Sequence, residues 1–296
     1  MKHQARLRAF AKINLGLRIL GRRPDGYHEI RTIYQTVGIY DRLWVELQPR
    51  GGGIEVACDD PQVPSGRGNL VYRIAARWKR AREFRGTIRI RIEKRIPTGA
   101  GLGGGSSDAA AALIALERLT GDRMSPRTRF RIAAETGSDV PFFLWGGRAL
   151  GLGRGEEVYP LADLGRHPCL VVFPGHAVST AEAYREAGRL TKNRRTSRMG
   201  VFGAWPHLSP EISGPAENDF EAVIFARWPE LASMKRRLIR AGAKVASLTG
   251  SGSAVFALFD SDRKLRHAKK LIPVGWKVFL TFTVPRNEYQ QRLFEE

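Results

Sequence analysis

Apolar and polar residues alternate with period two along the first segment of the chain. Leu7, Ala9, Ala11, Ile13, Leu15, Leu17 and Ile19 hold odd positions, and Arg8, Lys12, Asn14 and Arg18 hold even ones. That period places successive side chains on opposite faces of an extended chain, so a half-buried strand is expected rather than an amphipathic helix. Lys12 and Asn14 then share its polar face, roughly 7 Å apart. Pro24-Asp25-Gly26 reads as a turn and leaves Tyr27 and His28 at a strand mouth. Strand-like residues continue over 38–47 around a break at Asp41-Arg42, and Ile88, Ile90 and Ile92 alternate with Arg89 and Arg91. The period then changes. Ala109, Ala112, Leu113, Leu116 and Leu119 form one stripe, which predicts a helix over 108–119, opened by Ser and Asp capping types and closed near Gly121. A second helical stretch runs from Pro126 to about Thr136 and is interrupted by Gly137-Ser138-Asp139-Val140-Pro141. Further along, residues 169–173 read as a buried strand and 229–241 as a helix. Residues 245–248 and 254–259 read as strands flanking Gly250-Ser251-Gly252-Ser253. Residues 192–215 are polar and poorly patterned, and read as a long loop. Strands and helices mix without a regular beat, which favours an α+β fold. At about 150 residues per domain the 296-residue chain divides into two, 1–160 and 161–296.

Composition narrows the classes. Glycine and proline total 48 of 296 residues, too few for a disordered or collagen-like chain. The longest apolar run, 109–116, is eight residues, too short for a membrane-spanning helix. The basic first twenty residues lack the apolar block of a secretory signal. Cys58 and Cys169 form neither a disulfide framework nor a metal spacing, so a cytoplasmic address is expected. The charge is unusual: 49 Lys and Arg against 29 Asp and Glu give +20, and 38 of the basic residues are Arg. Such a balance attracts polyanions, from phosphorylated metabolites to nucleic acid, and a basic RNA-binding protein is one reading of it. No RNP aromatic string, zinc-knuckle spacing or Gly-x-x-Gly clamp of obvious KH type supports that reading, so no specific nucleic-acid partner is expected.

The strongest chemical signal is the loop between the Ile88–Ile92 strand and the following helix. Pro97, Thr98, Gly99, Ala100, Gly101, Leu102, Gly103, Gly104, Gly105, Ser106 and Ser107 put five glycines and paired serines before a helix N-terminus. Glycines let backbone amides approach an anion, and the helix end adds unpaired N–H groups and partial positive charge. This is a phosphate cradle in general form. Gly99, Gly101 and Gly104 fit the dinucleotide pattern G-x-G-x-x-G, a weak match in a loop this rich in glycine. The mononucleotide loop needs a lysine after its glycines, which is missing, and the protein-kinase signatures are absent.

The stretch IPTGAGLGGGSSDAAAAL, residues 96–113, resembles the ATP loop of the GHMP kinases, which include galactokinase and the homoserine, mevalonate and phosphomevalonate kinases. The segments Ala9-Phe10-Ala11-Lys12-Ile13-Asn14-Leu15 and Arg23-Pro24-Asp25-Gly26-Tyr27-His28 resemble one branch of that family. So do residues 137–143, Asn218-Asp219-Phe220-Glu221 and Thr249-Gly250-Ser251-Gly252-Ser253, and all follow the family's order. The resemblance implies a two-domain α+β architecture, with a ribosomal-S5-like N-terminal domain and a ferredoxin-like C-terminal one. It implies ATP as donor, with Mg²⁺, and phosphorylation of the 2-hydroxyl of a cytidine-diphosphate-linked methylerythritol in the non-mevalonate isoprenoid pathway. By the same similarity Asp139 is the base and Lys12 its cationic partner, with residues 97–107 on ATP. Asn14, Tyr27, His28, Thr180 and Tyr184 are expected on the substrate: the two tyrosines stack on cytosine, His28 reads its edge, and Asn14 bonds hydroxyls or orients Lys12. Gly250, Ser251 and Gly252 either approach the phosphates or serve a tight turn. No metal-ligand cluster is readable, and Ser106 or Ser107 is the expected protein contact to Mg²⁺. The implied partner is a small-molecule substrate with no membrane, the protein being a monomer or weak homodimer. Kinases of mevalonate, homoserine or a sugar are the alternative within the family.

Overall fold

A computed structural model describes residues 4–190 and 216–295; the loop expected at 192–215 lies outside these. The alternating first segment is strand β1 (Gln4–Arg22), which pairs antiparallel with β2 (His28–Gln48) over almost its whole length. Register shifts fall between Phe10 and Ala11 and between Asn14 and Gly16, so Lys12 and Asn14 lie between two irregularities. The break expected at Asp41-Arg42 is not one. The strand runs through it, because the Asp41 carboxylate is fully buried and satisfied from the neighbouring strand end.

Strands β3 (Ile54–Cys58) and β4 (Thr87–Glu93) extend the sheet beyond β2, joined by helix α1 (Leu70–Ala81). Asn69 caps α1 by accepting the Val71 amide, and Val71, Ile74, Ala75 and Trp78 form its buried face. Helix α2 (Gly104–Thr120) packs beside α1. Its buried alanines allow close approach, while Leu113 and Leu116 fill the core with Leu7, Phe10, Val45 and Ile90 of the sheet. Then come α3 (Pro126–Thr136), whose Ser125 cap accepts the Thr128 amide, the short α4 (Val140–Phe143), β5 (Arg148–Leu152) and β6 (Glu157–Pro160). Strand β5 pairs with β2 through Tyr34–Ala149.

The second layer begins at β7 (Pro168–Phe173), continues through α5 (Thr180–Leu190), α6 (Glu221–Arg227), α7 (Pro229–Arg240), β8 (Val245–Leu248), β9 (Val255–Leu258) and α8 (Asp262–Lys269), and ends at β10 (Lys277–Phe282). Its antiparallel sheet has the order β10-β7-β9-β8, with α7 and α8 supplying Leu231, Met234, Leu238 and Leu265 to one face. This is the ferredoxin-like arrangement. Strand β7 is apolar throughout because both faces are covered: Leu170 and Val172 face those helices, while Cys169, Val171 and Phe173 join Ala11, Ile13, Leu15, Ile33 and Leu102 between the two layers. The chain then recrosses. In α9 (Arg286–Arg292) Tyr289 enters the first core, and β11 (Phe294–Glu295) pairs with β1 through Leu7–Phe294. A division at residue 160 therefore leaves residues 286–295 on the opposite side of the boundary from the sheet they complete.

Candidate active site

The glycine loop folds back against β1, where the Lys12 amide donates to the Leu102 carbonyl at 3.0 Å. Two glycines make this approach possible. A Cβ on Gly103 would stand 3.0 Å from the Lys12 stem and from the Phe143 ring, and one on Gly101 would stand 2.1 Å from the Thr249 carbonyl oxygen. Both have φ in the left-handed region, +78° and +73° for Gly101 and Gly103, which side-chain-bearing residues enter at a cost of about 1–2 kcal/mol. Residues 97–105 line a cleft whose other wall includes Asn69, Leu70, Lys94 and Asp108. At the start of α2 the Ser107 hydroxyl is buried without a partner among the described residues, and Ser106 is half-buried.

A buried ion triad closes the stem of this loop. The Lys94 ammonium donates to Asp108 Oδ2 at 2.8 Å and to Asp41 Oδ2. Asp41 Oδ1 also accepts the amides of Arg95 and Ile96, at 2.6 and 2.8 Å. Burial works against the Lys94 charge, but Asp108 and Asp41 outweigh it and hold its pKa above the ordinary lysine range. Burial raises the Asp108 carboxyl, with Lys94 opposing and Asp41 adding to the rise.

Lys12 and Asp139 meet beside the loop. Lys12 Nζ stands 3.5 Å from Asp139 Oδ2; the lysine side chain is 4% exposed and the carboxylate 29%. Asp139 precedes α4, in the Gly-Ser-Asp-Val-Pro segment that ends α3. Its other oxygen accepts the Tyr34 hydroxyl at 2.9 Å. Tyr34 packs on Phe142 with centroids 4.8 Å apart, and its ring faces the Lys12 ammonium at 5.6 Å. Burial, followed by the Asp139 charge, pushes the Tyr34 pKa well above its ordinary value, so this hydroxyl keeps its proton and donates it to the carboxylate.

Asn14 lies behind the pair. Its Oδ1 accepts Lys12 Nζ at 2.6 Å and the Gly250 amide at 2.9 Å, while its Nδ2 donates to Thr32 at 2.6 Å. Both ends of the Asn14 carboxamide are thus engaged inside the protein. The Gly250 turn meets the glycine loop through its backbone, and Ser251 Oγ lies 3.2 Å from Thr180 Oγ1 at the start of α5.

The aromatic residues are arranged differently from a facing tyrosine pair. The ring against Tyr184 is His28, stacked at 5.3 Å and 17°, whereas Tyr27 is 54% exposed with the Arg154 guanidinium 4.7 Å above its ring. The α5 backbone passes so close at Gly188 that a Cβ there would meet His28 Nε2 at 2.4 Å. Burial and the neighbouring Arg22 lower the His28 pKa, so the ring is neutral at neutral pH. Burial, and then the Asp139 charge, raise the Tyr184 pKa above its ordinary value.

Asn14, Tyr27, His28 and Tyr184 were legible as candidates from one segment each. Tyr34, Thr32 and Asn218 were not singled out as site residues. The only sequence signal for Tyr34 and Thr32 is strand pairing, which sets Tyr34 opposite Asn14.

A glycine-rich phosphate cradle beside a lysine–carboxylate pair, between an S5-like and a ferredoxin-like layer, defines a small-molecule kinase. Residues 69–147 match the family model "GHMP kinases N terminal domain" and residues 205–271 match "GHMP kinases C terminal". The chain belongs to the GHMP kinase family, and it is a phosphotransferase. Within that family its similarity is to proteins named 4-diphosphocytidyl-2-C-methyl-D-erythritol kinase. The one from Solibacter usitatus is 46% identical over 275 residues, spanning 90% of this chain and 85% of the relative. The one from Pelotomaculum thermopropionicum is 42% identical over 84% of this chain and 87% of the relative. A crystal structure of 4-(cytidine 5'-diphospho)-2C-methyl-D-erythritol kinase superposes with a TM-score of 0.76 at 36% identity, covering 94% of this chain and 98% of that one. Homoserine kinase from Cytophaga hutchinsonii, at 19% identity and a TM-score of 0.66 over 98% of this chain and 97% of its own, shares the fold.

Proposed function

We propose that this chain transfers the γ-phosphoryl group of ATP to the 2-hydroxyl of 4-diphosphocytidyl-2-C-methyl-D-erythritol, with Asp139 as base and Lys12 as its cationic partner. The observation that carries the reading is the 3.5 Å Lys12–Asp139 pair against the glycine loop. In a loose phosphoryl-transfer transition state, catalysis is mostly positioning and charge stabilisation. The acceptor oxygen forms its bond to the γ-phosphorus as the β–γ bridging bond breaks, ADP leaves, and the hydroxyl proton passes late to Asp139. Tyr34 and Lys12 each hold one carboxylate oxygen, which fixes the orientation of the Asp139 carboxylate. The loop amides of residues 98–105 hold the ATP phosphates at the positive end of α2. Cytosine is read at the His28–Tyr184 stack and by Tyr27; Thr180 borders the same side from the second layer.

Among the described residues no three His, Cys, Asp or Glu side chains converge on a metal site. Mg²⁺ often keeps its waters and leans on nucleotide phosphates, and the unpartnered Ser107 hydroxyl at the cradle, with Ser106 beside it, fits one protein contact to such an ion. When bound, the ion neutralises charge on the β- and γ-phosphates. No helix among the described residues is long and apolar enough to cross a membrane. The proposed setting is a cytoplasmic monomer or weak homodimer without a specific nucleic-acid partner.

The test measures ADP release with the cytidyl substrate beside mevalonate, homoserine and galactose. Turnover confined to the first supports the reading, and preference for any other removes it. Asp139→Asn is expected to retain ATP affinity while turnover falls by about 10²-fold or more. A near-normal rate in that variant takes Asp139 out of the mechanism.

A further inference from the structure

We infer that Asn218 is a positioning residue for phosphoryl transfer: it fixes the Gly250 turn, whose amide holds Asn14, whose carboxamide oxygen holds the Lys12 ammonium. The inference rests on the reading that Lys12 acts in transfer. Asn218 is buried. Its side-chain NH₂ donates to two carbonyls of the second layer, Leu248 and Gly250, both at 2.9 Å. Its Oδ1 accepts the Phe220 amide at 3.0 Å. All the donors and one acceptor site of the carboxamide are therefore used. Its backbone is bound to β1. Asn218 bridges in parallel to Leu17, with the Leu17 amide donating to the Glu217 carbonyl at 2.8 Å and the Asp219 amide to the Leu17 carbonyl at 3.0 Å. One residue thus ties the 248–250 segment to the strand that carries Lys12 and Asn14.

The turn reaches the reacting groups directly. The Gly250 amide donates to Asn14 Oδ1 at 2.9 Å, Thr249 Oγ1 accepts the Asn14 amide at 3.2 Å, and Asn14 Oδ1 accepts Lys12 Nζ at 2.6 Å. Space around the turn is closed: a Cβ on Gly250 would stand 2.9 Å from the Gly101 carbonyl oxygen and 3.3 Å from Lys12 Nζ. A turn released from Asn218 loses two bonds on the side away from Asn14, and its movement shifts the partner that orients the ammonium. Displacements near 1 Å remote from the chemistry lower rates by as much as about 10²-fold.

The test is a double-mutant cycle with Asn14. Asn218→Asp keeps an acceptor for the Phe220 amide and removes both donors. It is expected to lower kcat about 10- to 100-fold while KM for ATP stays within about threefold. In an Asn14→Ala background the same substitution is expected to change kcat by less than about twofold, because its path to Lys12 is already cut. Equal fold losses in the two backgrounds, or an unchanged kcat, overturn the inference. Asp219→Asn is the structural control: it weakens the 3.1 Å pair to Arg18 on the same segment and leaves Asn218 in place. A kcat loss there equal to that of Asn218→Asp assigns the effect to segment stability and also overturns the inference. If Asn218→Asp does not fold, Asn218→Ser enters the same cycle with the same two outcomes. Lys12→Ala is run in parallel. Full activity in that variant defeats the underlying reading, whereas its inactivity alongside an additive Asn218–Asn14 cycle defeats only the positioning role.

Discussion

Gly101→Ala tests whether the two layers share one catalytic surface. The glycine sits at φ +78°, and an alanine Cβ there would stand 2.1 Å from the Thr249 carbonyl oxygen, 3.0 Å from the Thr249 carbonyl carbon and 3.1 Å from the Gly252 amide nitrogen. All three atoms are backbone, so no side chain can turn aside. Ordinary contact begins near 3.4 Å, so the glycine loop and the 249–252 turn must separate by about 1.3 Å. The left-handed backbone adds about 1–2 kcal/mol. The separation pulls on Gly250, whose amide holds Asn14, and on Leu102, whose carbonyl holds the Lys12 amide. A shift of that size predicts a loss of roughly 10²-fold in kcat/KM, together with a fall in thermal stability. Steady-state kinetics with ATP varied, and calorimetry on the same preparation, read the two effects. Gly21→Ala is the comparator: nothing lies within 4 Å of its added carbon and its backbone is not left-handed, so it is expected to leave Tm unchanged or slightly higher. A Gly101→Ala enzyme with wild-type kinetics and Tm would show that the contact between loop and turn is dispensable, and the cross-layer argument would fail with it.

Tyr34→Phe keeps the ring on Phe142 and removes only the hydroxyl given to Asp139; hydrogen bonds to charged groups contribute about 1.5–3 kcal/mol, so kcat should fall roughly 10- to 100-fold with stability little changed. A rate within twofold of wild type would release Tyr34 from that role. Lys94→Met leaves the Asp41 and Asp108 carboxylates buried without their shared cation and should destabilise the fold by about 3–5 kcal/mol in denaturant titration; a loss below about 1 kcal/mol would show that the triad is not a structural tie. The folded-state pKa of His28 lies below its ordinary 6.5, with burial as the larger cause and Arg22 as the smaller. Between those two values the unfolded chain binds the proton more readily, so stability is fully present above about pH 6.5 and declines as pH falls toward the folded-state value. His28→Gln should flatten part of that decline in pH-dependent melts, His167, also lowered by burial, accounting for another part; an identical pH profile would contradict the assignment.

The parts of this molecule governed by local rules were readable in the chain. Period-two alternation marked β1, and the alanine–leucine stripe with Gly121 behind it marked α2, whose helical turns begin a few residues earlier, at Gly104. Pro126 marked the start of α3, and an unbroken apolar run marked β7, which is covered on both faces. What local rules misread was decided by distant partners. Asp41 looks like a strand break because an aspartate has low strand preference; the Lys94 ammonium and two amides from residues 95 and 96 satisfy it in place. Helix α1 was not identified in the sequence, although its buried Val71, Ile74, Ala75 and Trp78 fall at helical spacing. Within the site, the loop and the Lys12–Asp139 pair could be named from motifs. The aromatic arrangement could not, because it depends on where α5 places Tyr184 relative to His28.

The same contrast explains why two register shifts bracket the lysine. A regular strand pair would carry Lys12 and Asn14 side by side with evenly spaced neighbours and no room for outside backbone. Irregularities on either side let the pair meet three separate elements instead: the Leu102 carbonyl of the glycine loop, the Gly250 amide of the second layer, and the carboxylate ahead of α4. Lys12 is almost fully covered while the Asp139 carboxylate is partly exposed. The proposed division of labour follows from that difference in exposure: the lysine fixes geometry and charge from behind, and the more exposed carboxylate receives the hydroxyl.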